Sequence, residues 1–211
     1  GPHGAFMLGN LCLQVALLRN DPRLVPLRAI AGGASVLFTV PLLRELLLLL
    51  GGRDASAQVL DDALSSGRSV VLAPGGLWEQ VHTSHRRECL FVQPTFGFIR
   101  LAMRHGVPIL PAYGFGETQL WRTHEDHDEV LLPLRQWVAR ALRVGIPIVS
   151  GRYGTPLPLP TKHVLVVGQP IETGPPNNGP SLQEMQAVLV RWMTEIQRIF
   201  DEHKDELLPA D

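Results

Sequence analysis

Residues Ser69–Glu79 put two glycines, Gly75 and Gly76, and a carboxylate, Glu79, directly after a short apolar run. Glycines let a backbone come close to a substrate, and a carboxylate beside them can orient an imidazole or bind a hydroxyl. His3 lies between Pro2 and Gly4, so its backbone is stiff before it and permissive after it. A neutral imidazole is the usual general base near pH 7. Glu117 follows Gly114-Phe115-Gly116 and offers a second carboxylate. Arg152, after Gly151, offers a planar donor fork for a phosphate or an oxygen-rich head group. Each has a plainer reading. His3 is one of eight histidines and sits at a chain end. Glu79 and Glu117 are then solvated loop carboxylates, and Arg152 is then the ion-pair partner of one of them.

Other chemistries lack their signatures. Gly114-Phe-Gly116-Glu-Thr-Gln119 has no third glycine for a dinucleotide fingerprint. There is no Walker loop and no Gly-x-Ser-x-Gly elbow for a serine nucleophile. Cys89 has no histidine partner that the sequence can locate. His82/His85 and His124/His127 have one-turn spacing but no third ligand, so no metal is expected.

The elements that must position these residues follow an α-then-β rhythm. Val70–Ala73 is apolar and β-branched, as suits a strand buried on both faces in a parallel sheet. Ligands of such sheets bind outside the carboxyl ends of the strands, where the Gly75-Gly76 turn falls. Helices are expected over Ala5–Leu18, Val40–Leu50, Ser56–Leu64, Gly97–His105 and Pro133–Val144. Phe98, Leu101 and Ala102 point inward from the fourth of these, and Gly106 caps it. Further strands are expected over Leu27–Ala31 (ended by Gly32-Gly33), Val107–Tyr113, Ile146–Val149 and His163–Val167. Ser181-Leu-Gln-Glu184 is a capping box opening a long helix. That helix has Leu182, Met185, Val188, Leu189, Trp192, Ile196 and Ile199 on one stripe. The order argues for α/β, a mostly parallel central sheet flanked by helices.

At 211 residues, 45% hydrophobic and 18% charged, the chain is expected to form one domain, 1–211, with a sizeable core. A net charge of −1 supplies no basic field, so no nucleic-acid partner is expected. Two cysteines, Cys12 and Cys89, make no disulfide framework and suit a reducing compartment. The apolar run Pro41–Leu50 is far shorter than the roughly 20 residues that span a bilayer, and having almost no polar face it packs into a core or against lipid. The sequence opens at Gly1-Pro2-His3-Gly4, which reads as a domain trimmed at its N-terminus.

Taken together these segments resemble the type 2 diacylglycerol acyltransferase family, whose relatives acylate monoacylglycerol and wax alcohols. Pro2-His3-Gly4 resembles its His/Glu-Pro-His-Gly box, Pro41-Leu-Leu-Arg44-Glu45 its Pro-x-Leu-Arg-Glu segment, and Gly75-Gly-Leu-Trp-Glu79 its Gly-Gly-x-x-Glu. Gly97-Phe98 through Gly106 and Pro111 to Phe115-Gly116-Glu117 is similar to a further box. Gly151-Arg152 and Val166-Val-Gly168-Gln-Pro170-Ile171 follow. The chain departs from the pattern at Gly1, where the family has His or Glu, and at Thr95-Phe96, where it has basic residues. Leu8 stands where glycerophosphate acyltransferases carry an aspartate. The resemblance implies a glycerolipid-acyltransferase-like fold and an acyl-CoA-dependent O-acyltransferase that makes triacylglycerol from diacylglycerol. His3 would be the base and Glu79 its partner, with Pro2, Gly4, Gly75, Gly76, Gly97, Phe98, Gly116, Glu117 and Arg152 binding substrate. Acyl-CoA would be a co-substrate, with no cofactor. Monoacylglycerol or fatty alcohol are alternative acceptors, and an inactive lipid-droplet-associated lipid-binding protein is the alternative from another class. The family's membrane hairpin would precede residue 1, giving attachment to the endoplasmic reticulum membrane or a droplet surface. Homo-oligomerisation stays open.

Overall fold

A computed structural model describes residue 22 and residues 25–74, 96–123, 149–155 and 157–208. In chain order the elements begin with β1 (Ile30–Gly33), α1 (Leu43–Leu49), β2 (Gly52–Asp54), α2 (Ala57–Ser65) and β3 (Val70–Val71). They continue with α3 (Gly97–His105), β4 (Ala112–Phe115), β5 (Arg122–Thr123), β6 (Val149–Ser150), β7 (Val164–Val167) and α4 (Leu182–Leu207). The expected helices Ala5–Leu18 and Pro133–Val144, and most of the strand before Val149, lie outside the described residues. The chain divides into two compact units, one holding 92–116 and 162–211, the other 2–91 and 117–161.

In the second of these, β1 runs parallel to both β2 and β3 in the order β2-β1-β3, pairing Ala31 with Gly52 and Ile30 with Val70. Both crossovers carry a helix, α1 and then α2, which pack back on the sheet. The α/β class with a parallel sheet flanked by helices is therefore as expected. Ile30 in the middle strand is fully buried, whereas Val70 and Val71 are half-buried rather than enclosed on both faces. Leu60 and Ala63 give α2 its inner face. Asp54 closes β2: its Oδ1 accepts from the Ser35 hydroxyl at 2.6 Å and from the Ser56 backbone N–H at 3.0 Å.

Two glycines expected as breaks belong to strands. Gly32 and Gly33 lie in β1. A Cβ built on Gly32 would sit 2.5 Å from Leu72 Cδ2, so this glycine makes room for packing rather than for a turn. Gly52 opens β2, its Cα face against the Leu47 carbonyl. The leucine-rich helix differs too. α1 is shorter than Val40–Leu50, buries none of its residues, and leaves Leu49 72% exposed.

In the other unit β4 and β7 are antiparallel, Tyr113 opposite Val166, with an isolated bridge between Ile109 and Ile171. The two strands were expected within a mostly parallel sheet. α3 has the expected bounds, and Gly106 caps it at φ 61° with its N–H on the Met103 carbonyl. The buried residues of α3 are Ile99, Ala102 and Met103, one residue round from the expected Phe98-Leu101-Ala102 face. The capping box of α4 is complete, with the Glu184 N–H donating to Ser181 Oγ and the Ser181 N–H to Glu184 Oε2. Met185, Val188, Trp192, Ile196 and Ile199 are buried at helical spacing, while Leu182 at the first position is exposed. Tyr113 and Phe115, two apart on β4 and so on one face, stack against Phe200 of α4 at 5.4 and 6.2 Å between centroids.

Among the described residues no helix is long and apolar enough to cross a membrane. Seven residues of α1 span only about 10 Å at 1.5 Å each, against a hydrocarbon core of about 30 Å. The 26 residues of α4 have the length but carry a charged outer face. This corrects the expected membrane attachment and with it the expected endoplasmic reticulum or lipid-droplet location.

Candidate functional site

Pro2, His3, Gly4, Gly75, Gly76 and Glu79 lie outside the described residues. The chain is described as far as Pro74, three residues past the end of β3 in the parallel sheet. Cys12, Cys89 and the pairs His82/His85 and His124/His127 are likewise outside. No group of three metal-ligating side chains occurs among the described residues.

Glu117 is placed clearly. It follows β4 directly and stands at the N-terminal side of a 3₁₀ turn, Thr118–Leu120, with 0% of its surface exposed. The solvated-loop reading of this residue is overturned. Acidic side chains are seldom buried completely without a partner. The backbone around Glu117 is held on the following strap: Leu159 N–H donates to the Leu120 carbonyl at 2.8 Å, and Thr161 Oγ1 to the Gln119 carbonyl at 3.2 Å. Gly116, just before, has φ 87°, and a Cβ there would overlap the Lys162 carbonyl oxygen. Only glycine fits that position on both counts.

Gly97 is the first residue of α3, with open space where a side chain would stand. Phe98 is half-buried and packs edge-on to Trp192 of α4, 5.5 Å between centroids. That contact gives Phe98 a role in joining two helices. Behind it, Gly168 lies so close to α4 that Gln169 N–H reaches Glu195 Oε1 at 2.7 Å. Arg198 grips the same carboxylate with Nε and Nη2, at 2.8 and 2.6 Å. The Arg198 guanidinium, with the Gln169 N–H, holds the Glu195 carboxyl down at about 2. Burial pushes the half-buried His163 imidazole below its usual range.

Arg152 follows β6 in a tight turn and is exposed, so the ion pair with the buried Glu117 does not form. Among the described residues its guanidinium has one neighbour, the ring of Tyr153, 4.9 Å from the centroid. Tyr153 has φ 58° and ψ 26° and is 82% exposed. A left-handed conformation costs an L-residue about 1–2 kcal/mol. The turn is nonetheless fixed: Gly151 N–H donates to the Thr155 carbonyl at 2.8 Å, Arg152 N–H to the Leu157 carbonyl at 2.8 Å, and Thr155 Oγ1 to the Arg152 carbonyl at 2.7 Å. Sequence reasoning passed over Tyr153, because nothing in a Gly-Arg-Tyr-Gly string announces a strained tyrosine.

A parallel βαβαβ sheet with helices in its crossovers defines an α/β protein. The chain belongs to the diacylglycerol acyltransferase family, whose profile matches residues 1–209. It is 29% identical to 2-acylglycerol O-acyltransferase 3 of Homo sapiens over 97% of this chain and 63% of that protein. It is 29% identical to diacylglycerol O-acyltransferase 2B of Umbelopsis ramanniana over 80% of this chain and 51% of that protein. Acyl-CoA wax alcohol acyltransferase 2 of Mus musculus is 28% identical over 79% and 53%. The chain thus spans between half and two thirds of these relatives' length. No solved structure matches it.

Proposed function

We propose that the protein is an acyl-CoA-dependent O-acyltransferase that acylates the free hydroxyl of diacylglycerol, giving triacylglycerol and free CoA. The match of the family profile to residues 1–209 carries this reading. Its support in the sequence is that Pro2-His3-Gly4 and Gly75-Gly-Leu-Trp-Glu79 are both intact.

The reaction is a direct transfer. His3 removes the acceptor's hydroxyl proton as that oxygen attacks the thioester carbonyl. Glu79 orients the imidazole, and backbone N–H groups at Gly75 and Gly76 stabilise the tetrahedral oxyanion. The carbon–sulfur bond then breaks, and the proton held on His3 passes to the departing thiolate. A site that excludes water keeps the thioester from hydrolysis. Gly116 and Glu117 are assigned to substrate binding on the family pattern, Glu117 as a buried acid rather than a solvated loop carboxylate.

The acceptor divides two readings. Identity to a human 2-acylglycerol O-acyltransferase over nearly the whole chain supports monoacylglycerol as a second candidate. The test supplies the purified protein with labelled acyl-CoA and, separately, diacylglycerol, monoacylglycerol and a long-chain alcohol. Label in triacylglycerol is the expected result, reduced by about 10²–10⁴ in folded His3→Ala. Acylation of another acceptor alone moves the assignment to that acceptor. Wild-type turnover by His3→Ala rejects the base, and binding without turnover makes the protein a catalytically silent lipid binder.

A further inference from the structure

We infer that the Arg152–Tyr153 turn after β6 binds the adenine nucleotide end of acyl-CoA, an inference that rests on the acyl-CoA-dependent reading above. Tyr153 is a bulky residue in the left-handed region, at φ 58°, where such residues are genuine outliers. Glycine or asparagine would serve this turn without strain. The strain gains no burial, for the residue is 82% exposed. A strained conformation persists only where its surroundings over-determine it, and such positions cluster at ligand clamps. Here the surroundings are the hydrogen bonds between Gly151, Arg152, Thr155 and Leu157. Gly151 is locked in from the other side, since a Cβ on it would overlap the Leu157 carbonyl oxygen.

What the turn presents is a flat aromatic face beside a planar cation. The guanidinium lies 4.9 Å from the Tyr153 centroid and covers one side of the ring. The opposite face is open to a second flat group, and a base stacks on tyrosine whatever its sequence identity. The Arg152 fork is suited to two phosphate oxygens at once. Among the substrates of the proposed reaction only the acyl-CoA donor carries an aromatic ring and phosphates together. Neither the acyl chain nor a glycerolipid or alcohol acceptor could use both halves of the pair. The nucleotide is remote from the reacting carbonyl, so its binding energy acts on donor affinity rather than on the chemical step.

The variants are Tyr153→Gly, which removes the ring and relieves the positive φ, Tyr153→Phe, which keeps the ring, and Arg152→Gln. Transfer is measured with acyl-CoA and with the matching acyl-pantetheine, which lacks the nucleotide. Tyr153→Gly is expected to lower the ratio of kcat/KM for acyl-CoA to that for acyl-pantetheine by about tenfold, as loss of one stacked base would. The change lies in KM, and Tyr153→Phe restores the ratio. Calorimetry with adenosine 3′,5′-bisphosphate is expected to show binding weakened to a similar degree in Tyr153→Gly and Arg152→Gln at undiminished melting temperature. An unchanged ratio, equal loss with both donors, or equal nucleotide binding by wild type and Tyr153→Gly overturns the inference. A protein that binds the nucleotide through Tyr153 yet transfers no acyl group keeps the nucleotide site and removes the proposed function instead.

Discussion

Replacing Gly168 by alanine tests whether the junction between β7 and α4 is packed as tightly as its geometry states. Gly168 has no positive φ, so alanine suits its backbone. In open space the change would stabilise by about 0.4–1 kcal/mol through the unfolded chain. The space is not open. A Cβ there would lie 2.5 Å from Glu195 Oε1, 2.7 Å from Ile199 Cδ1 and 3.1 Å from Glu195 Cγ. Ile199 is buried, and the Glu195 carboxylate is held by three donors from Gln169 and Arg198, so neither side chain can yield without loss. Overpacking of this kind costs about 1–3 kcal/mol, which outweighs the entropic gain. A net loss of about 1–2 kcal/mol corresponds to a melting temperature lower by about 2–8 °C at this chain length. The assay is thermal melting by circular dichroism, run as a double-mutant cycle with Glu195→Ala. That single change should cost about 1 kcal/mol, as the loss of a bidentate pair whose Arg198 end is exposed. Where the carboxylate is the obstacle, the double variant loses less than the sum of the two, with a coupling of at least about 0.5 kcal/mol. A Gly168→Ala protein melting at or above wild type refutes the packing argument, and strict additivity refutes the part assigned to Glu195.

Gly116→Ala meets both a φ of 87° and the Lys162 backbone carbonyl, which no rotamer change relieves. A loss of roughly 3 kcal/mol or more is expected, seen as a collapse of soluble folded protein or a melting temperature lower by roughly 6 °C or more. Acid sensitivity follows from Glu195, whose folded value of about 2 lies below its ordinary 4.5. A depressed carboxyl contributes stability that is fully present above pH 4.5 and is lost as pH falls toward 2. Glu195→Gln is therefore expected to lower urea stability at pH 7 and to flatten the decline between pH 4.5 and 2; an equally steep acid limb in the variant would contradict the assignment.

The elements that were legible in the sequence are those whose signals are local. Gly106 caps α3 because a left-handed residue is needed one step past the last turn, and Ser181 with Glu184 states the start of α4 in its own side chains. The parallel β1-β2-β3 sheet could be inferred from alternating helices and apolar runs, since a helix between two strands must return the chain to the same end. Three of the misreadings are non-local. Gly32 looks like punctuation, yet it is glycine because Leu72, forty residues on, occupies the place of its side chain. β4 pairs antiparallel with β7 through residues about fifty positions apart, a choice no local propensity encodes. Glu117 reads as a substrate-binding group or a solvated loop carboxylate; its full burial, beside a turn bonded to the 159–161 strap, is not written in Gly114-Phe115-Gly116. The candidate site divides in the same way. His3 and Glu79 were found by residue type and family pattern and lie outside the described residues, whereas Tyr153 was invisible until its φ was known. Side-chain type can nominate a base or an acid, but only the backbone shows where conformational strain has been retained without any packing to compensate for it. That is why the Arg152–Tyr153 turn, and not the proposed base and its acidic partner, is what the structure adds to the sequence.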